Sequence, residues 1–309
     1  MYDICTIGHI TLDKVVTTQS VNFMPGGTSF YFSKAIQKFD VDYRLITAVA
    51  AAELPIVEQL QKEGIEITTL PSEHTVFFEN IYSQNQDHRE QNVLYKADPF
   101  TKEVALLPNI DAQIYHLGPL LSDDISVELL KALAQKGMVS LDIQGFLRFV
   151  KNQKVHYTDW VDKDEALAHV SILKANEYEM EVITGQKEIR AGALYLAEMG
   201  VKEVIITLGS KGSVIYTEGN FYEIPAFKPK QVVDATGCGD TYMAGYLLKK
   251  IKGGNPQEAG EFGAAMATIK IQSSGPFSGD LQQVENILNS TLHEKIFPWE
   301  ELASSISQS

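Results

Sequence analysis

Short runs of β-branched and aliphatic residues alternate with amphipathic stretches along most of this chain, and that rhythm restricts its architecture more than any other feature. Strand-like runs cover 2–8, 43–49, 113–117, 138–143, 171–175 and 203–208, and helical periodicity covers 29–39, 55–62, 126–135, 191–199, 240–251 and 256–271. Strand and helix taking turns predicts an α/β fold: a doubly wound, mostly parallel sheet with helices on both faces. Such a sheet presents ligands with the carboxyl ends of its strands. The chain reads as a single domain over 1–309, with two insertions at 14–24 and 68–97 that break the rhythm. There β-prone residues such as Thr75-Val76-Phe77-Phe78 alternate with polar turns, predicting a small antiparallel sheet. It reads as a lid beside a ligand cleft; the duller reading is an edge extension or a contact between two copies, and the two are compatible. The tail after Trp299 is polar and is expected to fray.

Charge narrows the partners. A formal net charge of −14 with no basic stripe argues against nucleic acid and anionic membrane surfaces. No apolar run approaches the roughly 20 residues that cross a bilayer, and the opening segment reads as no secretion signal. Cys5 and Cys238 lie far apart and form no metal pattern, which suits a reducing cytoplasm.

The stretch from Val232 to Leu248 concentrates the chemistry. Val232 and Val233 read as the end of a strand; Thr236-Gly237-Cys238-Gly239 follow as a small-residue turn, and a helix begins near Asp240 with Met243, Leu247 and Leu248 on its apolar side. Glycines at a helix N-terminus let backbone N–H groups approach an anion, and the helix dipole favours negative charge there. Such a hole suits the charge that develops on a phosphoryl group in transfer. Asp240 in the same first turn reads as a general base beside the hole, or as a residue that caps its own helix.

Asp234-Ala-Thr-Gly-Cys-Gly-Asp240 resembles the C-terminal signature of the ribokinase-like, or PfkB, carbohydrate kinases, Asp-Thr-x-Gly-Ala-Gly-Asp, with Ala235 and Cys238 as mild departures. The resemblance implies that Asp240 is the catalytic base and that the backbone of Gly237, Cys238 and Gly239 forms the anion hole. It also implies ATP as donor, with many relatives holding a monovalent cation near the start of the Asp234 motif. Cys238 reads as a packing residue whose place at a helix N-terminus predicts a lowered thiol pKa and modest redox sensitivity.

Further segments fall in the family's order from Gly8 to Gly275. Asn176-Glu-Tyr-Glu179 resembles its Asn-x-x-Glu element, which implies Mg²⁺ held through water; read as residues alone, the pair is a helix start with a capping box. Thr207-Leu-Gly209-Ser-Lys-Gly212 resembles its phosphate-contacting turn and, with Thr236 and Gly237, implies the nucleotide site. The helix over 264–272 and the turn over 273–276 occupy the region that closes over adenine in relatives. Gly8-His-Ile-Thr-Leu-Asp13 and the Gly26-Gly27 hinge resemble the acceptor side, where Asp13 would accept from polyol hydroxyls. The family's usual Asn after the hinge is absent, with Tyr31 near that place, which argues against a ribose- or fructose-type acceptor. Asp142-Ile-Gln144-Gly-Phe-Leu-Arg148 is similar to the run in the family's myo-inositol kinases, so Gln144 and Arg148 are candidates for ring hydroxyls or for holding the following loop. Tyr115-His116 ends another strand facing the same cleft.

The function implied is ATP-dependent phosphorylation of a sugar or cyclitol, leaning to myo-inositol. The rivals are fructose, ribose or nucleoside kinases and a catalytically silent regulator. A dehydrogenase is disfavoured because no Gly-x-Gly-x-x-Gly follows the first strand, and a zinc hydrolase because no His-Glu-x-x-His occurs.

Overall fold

The computed structural model describes residues 1–17, 20–82 and 89–290. The strands are β1 (Tyr2–Ile7), β2 (Thr11–Val16), β3 (Val21–Gly26), β4 (Tyr43–Val49), β5 (Glu66–Pro71), β6 (Val76–Tyr82), β7 (Arg89–Tyr95), β8 (Ala112–Leu117), β9 (Met138–Asp142), β10 (Arg148–Lys151), β11 (Lys154–Tyr157), β12 (Ile172–Asn176), β13 (Glu203–Thr207), β14 (Ser213–Thr217) and β15 (Asn220–Ile224). The helices are α1 (Thr28–Ile36), α2 (Leu54–Lys62), α3 (Val127–Ala134), α4 (Lys163–Ala166), α5 (Glu177–Thr184), α6 (Ile189–Glu198), α7 (Cys238–Ile251), α8 (Pro256–Lys270) and α9 (Leu281–Ser290).

Nine strands form one sheet in the order β15-β14-β13-β12-β9-β8-β1-β4-β5, parallel from β13 to β5 and antiparallel at the β14–β15 edge. The central strands are apolar at nearly every position, as strands covered on both faces must be. Along β1 the side chains split between two cores: Cys5 and Ile7 pack with Leu129, Leu133 and Ile183 of one helix layer, while Ile4 packs with Phe32, Met243 and Met266 of the other. The expected α/β class, with helices on both faces, is what the chain adopts.

A second sheet, in the order β10-β11-β7-β6-β2-β3, stands beside the first. It contains the expected insertions, with two differences. Residues 68–71 belong to β5 of the main sheet, paired in parallel with β4, so this part of the 68–97 segment continues the α/β rhythm. The β10–β11 hairpin was not expected: Lys151 pairs Lys154 across Asn152 and Gln153, both at positive φ, and the turn lacks the glycine that usually marks such hairpins. The second sheet is also mixed, because β2 and β6 run parallel. Val76, Phe78 and Val93 seat it on Leu120 and Leu121 of the main body. No helix among the described residues is long and apolar enough to cross a membrane. The tail after Trp299 lies outside the described residues.

Val232 and Val233 do not end a strand. The N–H groups of Val233 and Asp234 both donate to the Ile271 carbonyl at the end of α8, at 2.8 and 3.2 Å, so the segment leading into α7 is tied to a helix end instead of a ladder.

Candidate active site

Helix α7 begins after Gly237, which adopts the left-handed conformation at φ 76°. A Cβ there would lie 2.2 Å from Cδ1 of Tyr31, so the α1 ring and the turn can share this space only if the residue is glycine. In the first turn the Cys238 N–H is consumed by the Ala235 carbonyl at 3.1 Å, which removes it from the expected anion hole. No described group accepts from the N–H of Gly237, which precedes the helix, or of Gly239 and Asp240, whose two amides in the first turn are left to serve an anion at the helix end. Asp240 keeps part of its surface in solvent. Its side-chain hydrogen bond goes to Thr28 of α1, not back to its own helix, and so it is not a cap. Burial, then the nearby Asp142, push its carboxyl up to about 6, against the opposing pull of Lys174 and the Thr28 hydrogen bond.

Beneath this turn lies a buried charge cluster. Lys174 of β12 and Asp142 of β9 are register partners in adjacent parallel strands, and Lys174 Nζ donates to Asp142 Oδ2 at 2.9 Å. The same ammonium is 4.0 Å from Glu179 Oε2, and a Cβ at Gly239 would be only 3.3 Å from it. Burial works to lower the Lys174 pKa, but Asp142, Glu179 and Asp240 together outweigh it and hold the group firmly protonated. A permanent positive charge thus sits directly under the α7 amides.

The third component is the turn that joins the second sheet to α1. Thr11 Oγ1 donates to Asp13 Oδ1 at 2.7 Å, and a Cβ at Gly26 would fall 2.6 Å from Asp13 Oδ2, so glycine is what lets this carboxylate lie against the β3 backbone. Gly27 then turns the chain into α1, whose first residue, Thr28, reaches Asp240. Asp13 and Asp240 therefore occupy the two ends of one three-residue turn.

Residues 1–282 match the model of the pfkB family carbohydrate kinases. The chain belongs to this family. A cytidine kinase of Thermococcus kodakarensis is 27% identical over 292 residues, 90% of this chain and 99% of its own. A nucleoside kinase of Methanocaldococcus jannaschii is 26% identical over 297 residues, 89% of this chain and 92% of its own. Among solved structures, a pyrophosphate-dependent kinase of the ribokinase family, complexed with a pyrophosphate analogue and myo-inositol, superposes with a TM-score of 0.81 at 28% identity over 92% of this chain and all of its own.

The remaining expected residues of this kinase fall in two groups. Asn176 and Glu179 form the capping box: Glu179 N–H donates to Asn176 Oδ1 and Asn176 N–H to Glu179 Oε2, each at 2.8 Å. Gln144 Nε2 donates to the other Glu179 oxygen at 3.3 Å, so Gln144 holds the cluster from its far side. With both carboxylate oxygens engaged, Mg²⁺ fits this pair only through its water shell; among the described residues no three His, Cys, Asp or Glu side chains are grouped to hold an ion directly. Thr207 is the register partner of Asn176, and Gly209 and Gly212 follow in the turn to β14 at the same end of the sheet. Thr236 N–H donates to Asp234 Oδ1 at 2.9 Å, shaping the turn before Gly237.

Arg148 stands apart on β10, where it donates to the Tyr157 hydroxyl at 3.1 Å and holds the hairpin. His116 is buried, stacked on Phe32 at 4.5 Å, with its pKa lowered by burial to about 4; it serves the core. Cys238 corrects its expectation outright. Burial raises the thiol to about 11, outweighing Lys270, and Asp234 and Asp240 add to the rise. We therefore expect Cys238 to react slowly with iodoacetamide at neutral pH, with activity retained; rapid inactivation matched to alkylation at this residue would contradict the burial argument.

Asp142, Lys174 and Thr28 were not singled out as site residues. A lysine inside the apolar run Ile172–Ala175 was the one available signal, since a charge in a buried strand needs a partner.

Proposed function

We propose that this kinase transfers the γ-phosphate of ATP to a hydroxyl of a cyclitol or sugar, with myo-inositol the favoured acceptor and Asp240 the base. The observation that carries it is the pairing of a partly exposed carboxylate, raised to about 6, with two unpaired amides at the same helix end. The acceptor hydroxyl, held by Asp13, gives its proton to Asp240 as its oxygen attacks the γ-phosphorus, and the bond to the ADP oxygen breaks in line. The Gly239 and Asp240 amides, backed by the Lys174 ammonium, stabilise the charge that develops on the transferred group. Mg²⁺, when bound, neutralises phosphate charge. The second sheet closes over the acceptor and excludes water, and Gly26 and Gly27 supply the hinge. Its exposed Val21, Phe23 and Tyr95 are apolar surface a second copy would cover; a monomeric mass in solution would remove that role.

A nucleotide donor is favoured by Val232 and Val233, which are 71% and 50% exposed just before the anion-binding turn and offer an apolar platform for a base. Pyrophosphate is the second reading, because solved relatives at 28% identity use it. Crossing ATP and pyrophosphate with myo-inositol, ribose, fructose and cytidine, and following phosphorylated product, separates these readings. Turnover of cytidine alone would replace the cyclitol, and binding without turnover of any acceptor would favour a silent regulator. Asp13→Ala is expected to raise the acceptor KM at least about tenfold, the cost of losing charge-assisted hydrogen bonds, with the donor KM little changed. Unchanged acceptor kinetics would take Asp13 out of the site.

A further inference from the structure

Lys270, the last residue of α8, has no solvent-exposed surface, yet it carries an ammonium on a long polar stem. Its Nζ donates to the backbone carbonyl of Asp234 at 2.8 Å and lies 3.2 Å from Asp234 Oδ2. A buried charge of this kind is costly unless it is paired and hydrogen-bonded, and Lys270 is both. Here it gathers a carbonyl and a carboxylate oxygen of a single residue onto one point. The other Asp234 oxygen accepts the Thr236 N–H, and the next residue, Gly237, begins the α7 turn. The ammonium therefore fixes the peptide that sets the direction of the Gly239 and Asp240 amides.

A carbonyl oxygen and a carboxylate oxygen converging on one site make a donor set that a monovalent metal cation would take, and the resemblance to the family implies such a cation here. The residues present do not fit it. Both oxygens are already committed to Lys270, and a second positive charge within their reach would be repelled by the first. We infer that Lys270 is a tethered cation: a positioning residue that orders the anion-binding turn from within the chain and frees the kinase from any requirement for potassium, sodium or ammonium ions.

The inference rests on the turn's role in holding the transferred phosphoryl group, and one arm of its test needs neither donor nor acceptor. The full chain is exchanged into tetramethylammonium buffer, and melting temperature and steady-state kinetics are followed on replacing that ion by K⁺, NH₄⁺ or Li⁺ at constant ionic strength. Wild-type kcat and Tm are expected to be indifferent to the ion. Lys270→Ala, which opens an ammonium-sized space, is expected to lose kcat by at least about tenfold, as when an oxyanion-hole donor is misplaced. K⁺ and NH₄⁺ should raise both its Tm and its kcat, through binding to the native state alone, whereas Li⁺ should not. The kcat should move more than either KM. If Lys270→Ala does not fold in tetramethylammonium, refolding on addition of K⁺ supports the same conclusion and failure to refold overturns it. Wild-type activity or Tm that rises with K⁺, or a Lys270→Ala variant with wild-type kcat in its absence, also overturns it.

Discussion

Replacing Asp240 by Asn is expected to lower kcat by about 10²–10⁴ while making the protein more resistant to unfolding at neutral pH. The two effects share one cause. Burial and the neighbouring Asp142 raise the carboxyl from its ordinary 3.8 to about 6 in the folded chain. Below the lower value the group is protonated whether folded or unfolded, and burial of a charge costs nothing. Between the two values the unfolded chain ionises first, so native stability falls as pH rises, and above the upper value the full cost persists. Asn carries no charge at any pH. Its advantage in Tm, a few degrees for a chain of this size, should be present at pH 7–8 and vanish below about pH 4. Wild-type kcat/KM should fall as pH drops through about 6, because only the ionised carboxylate accepts a proton. Melting curves and initial rates over this range check both halves. An Asn variant with near-wild-type kcat, or one less stable at pH 8 than the parent, would remove Asp240 from the role of a partly buried base.

How much of this site was legible beforehand depends on whether its parts are neighbours in sequence. The α7 turn, Asp240 and the Gly26-Gly27 hinge are local patterns, in which glycine placement at a helix start or strand end speaks for itself. The Asn176–Glu179 box was equally local, and its helix-capping reading is what the backbone adopts. Lys174 and Asp142, by contrast, meet because β9 and β12 are adjacent in a parallel sheet and in one particular register, which no short window encodes. Lys270 and Asp234 are joined across 36 residues by the return of α8 to the base of α7. The hairpins were missed for a different reason. The β14–β15 connection, Glu218-Gly219 at φ 50° and 78°, and the β10–β11 connection both carry the positive φ values of tight turns, but only one of the four residues is a glycine. Val232 and Val233 misled in the opposite direction, because β-branching marks a preference and the N–H groups of Val233 and Asp234 went to the Ile271 carbonyl.

Removing the Lys174 ammonium, as Lys174→Met, should destabilise the fold by about 3–5 kcal/mol, the usual consequence of leaving buried carboxylates without their cation. Asp142 at 2.9 Å and Glu179 at 4.0 Å would face each other and Asp240 with nothing between them. Lys174 now pulls the Asp240 pKa down, so its loss should shift the acid limb of the kcat/KM profile to higher pH by about one unit or more. Stability and catalysis separate in the double variant Asp142→Asn/Lys174→Met. Exchanging both members of the pair removes the Asp142 charge but leaves Glu179 and Asp240, so only part of the lost stability should return in urea denaturation. The kcat should stay low, because no positive charge remains beneath the Gly239 amide, where a Cβ would lie 3.3 Å from the ammonium. A single variant as stable as the parent would mean that the carboxylates do not depend on Lys174. A double variant with parental kcat would mean that the ammonium holds the cluster together but contributes nothing to the transfer step.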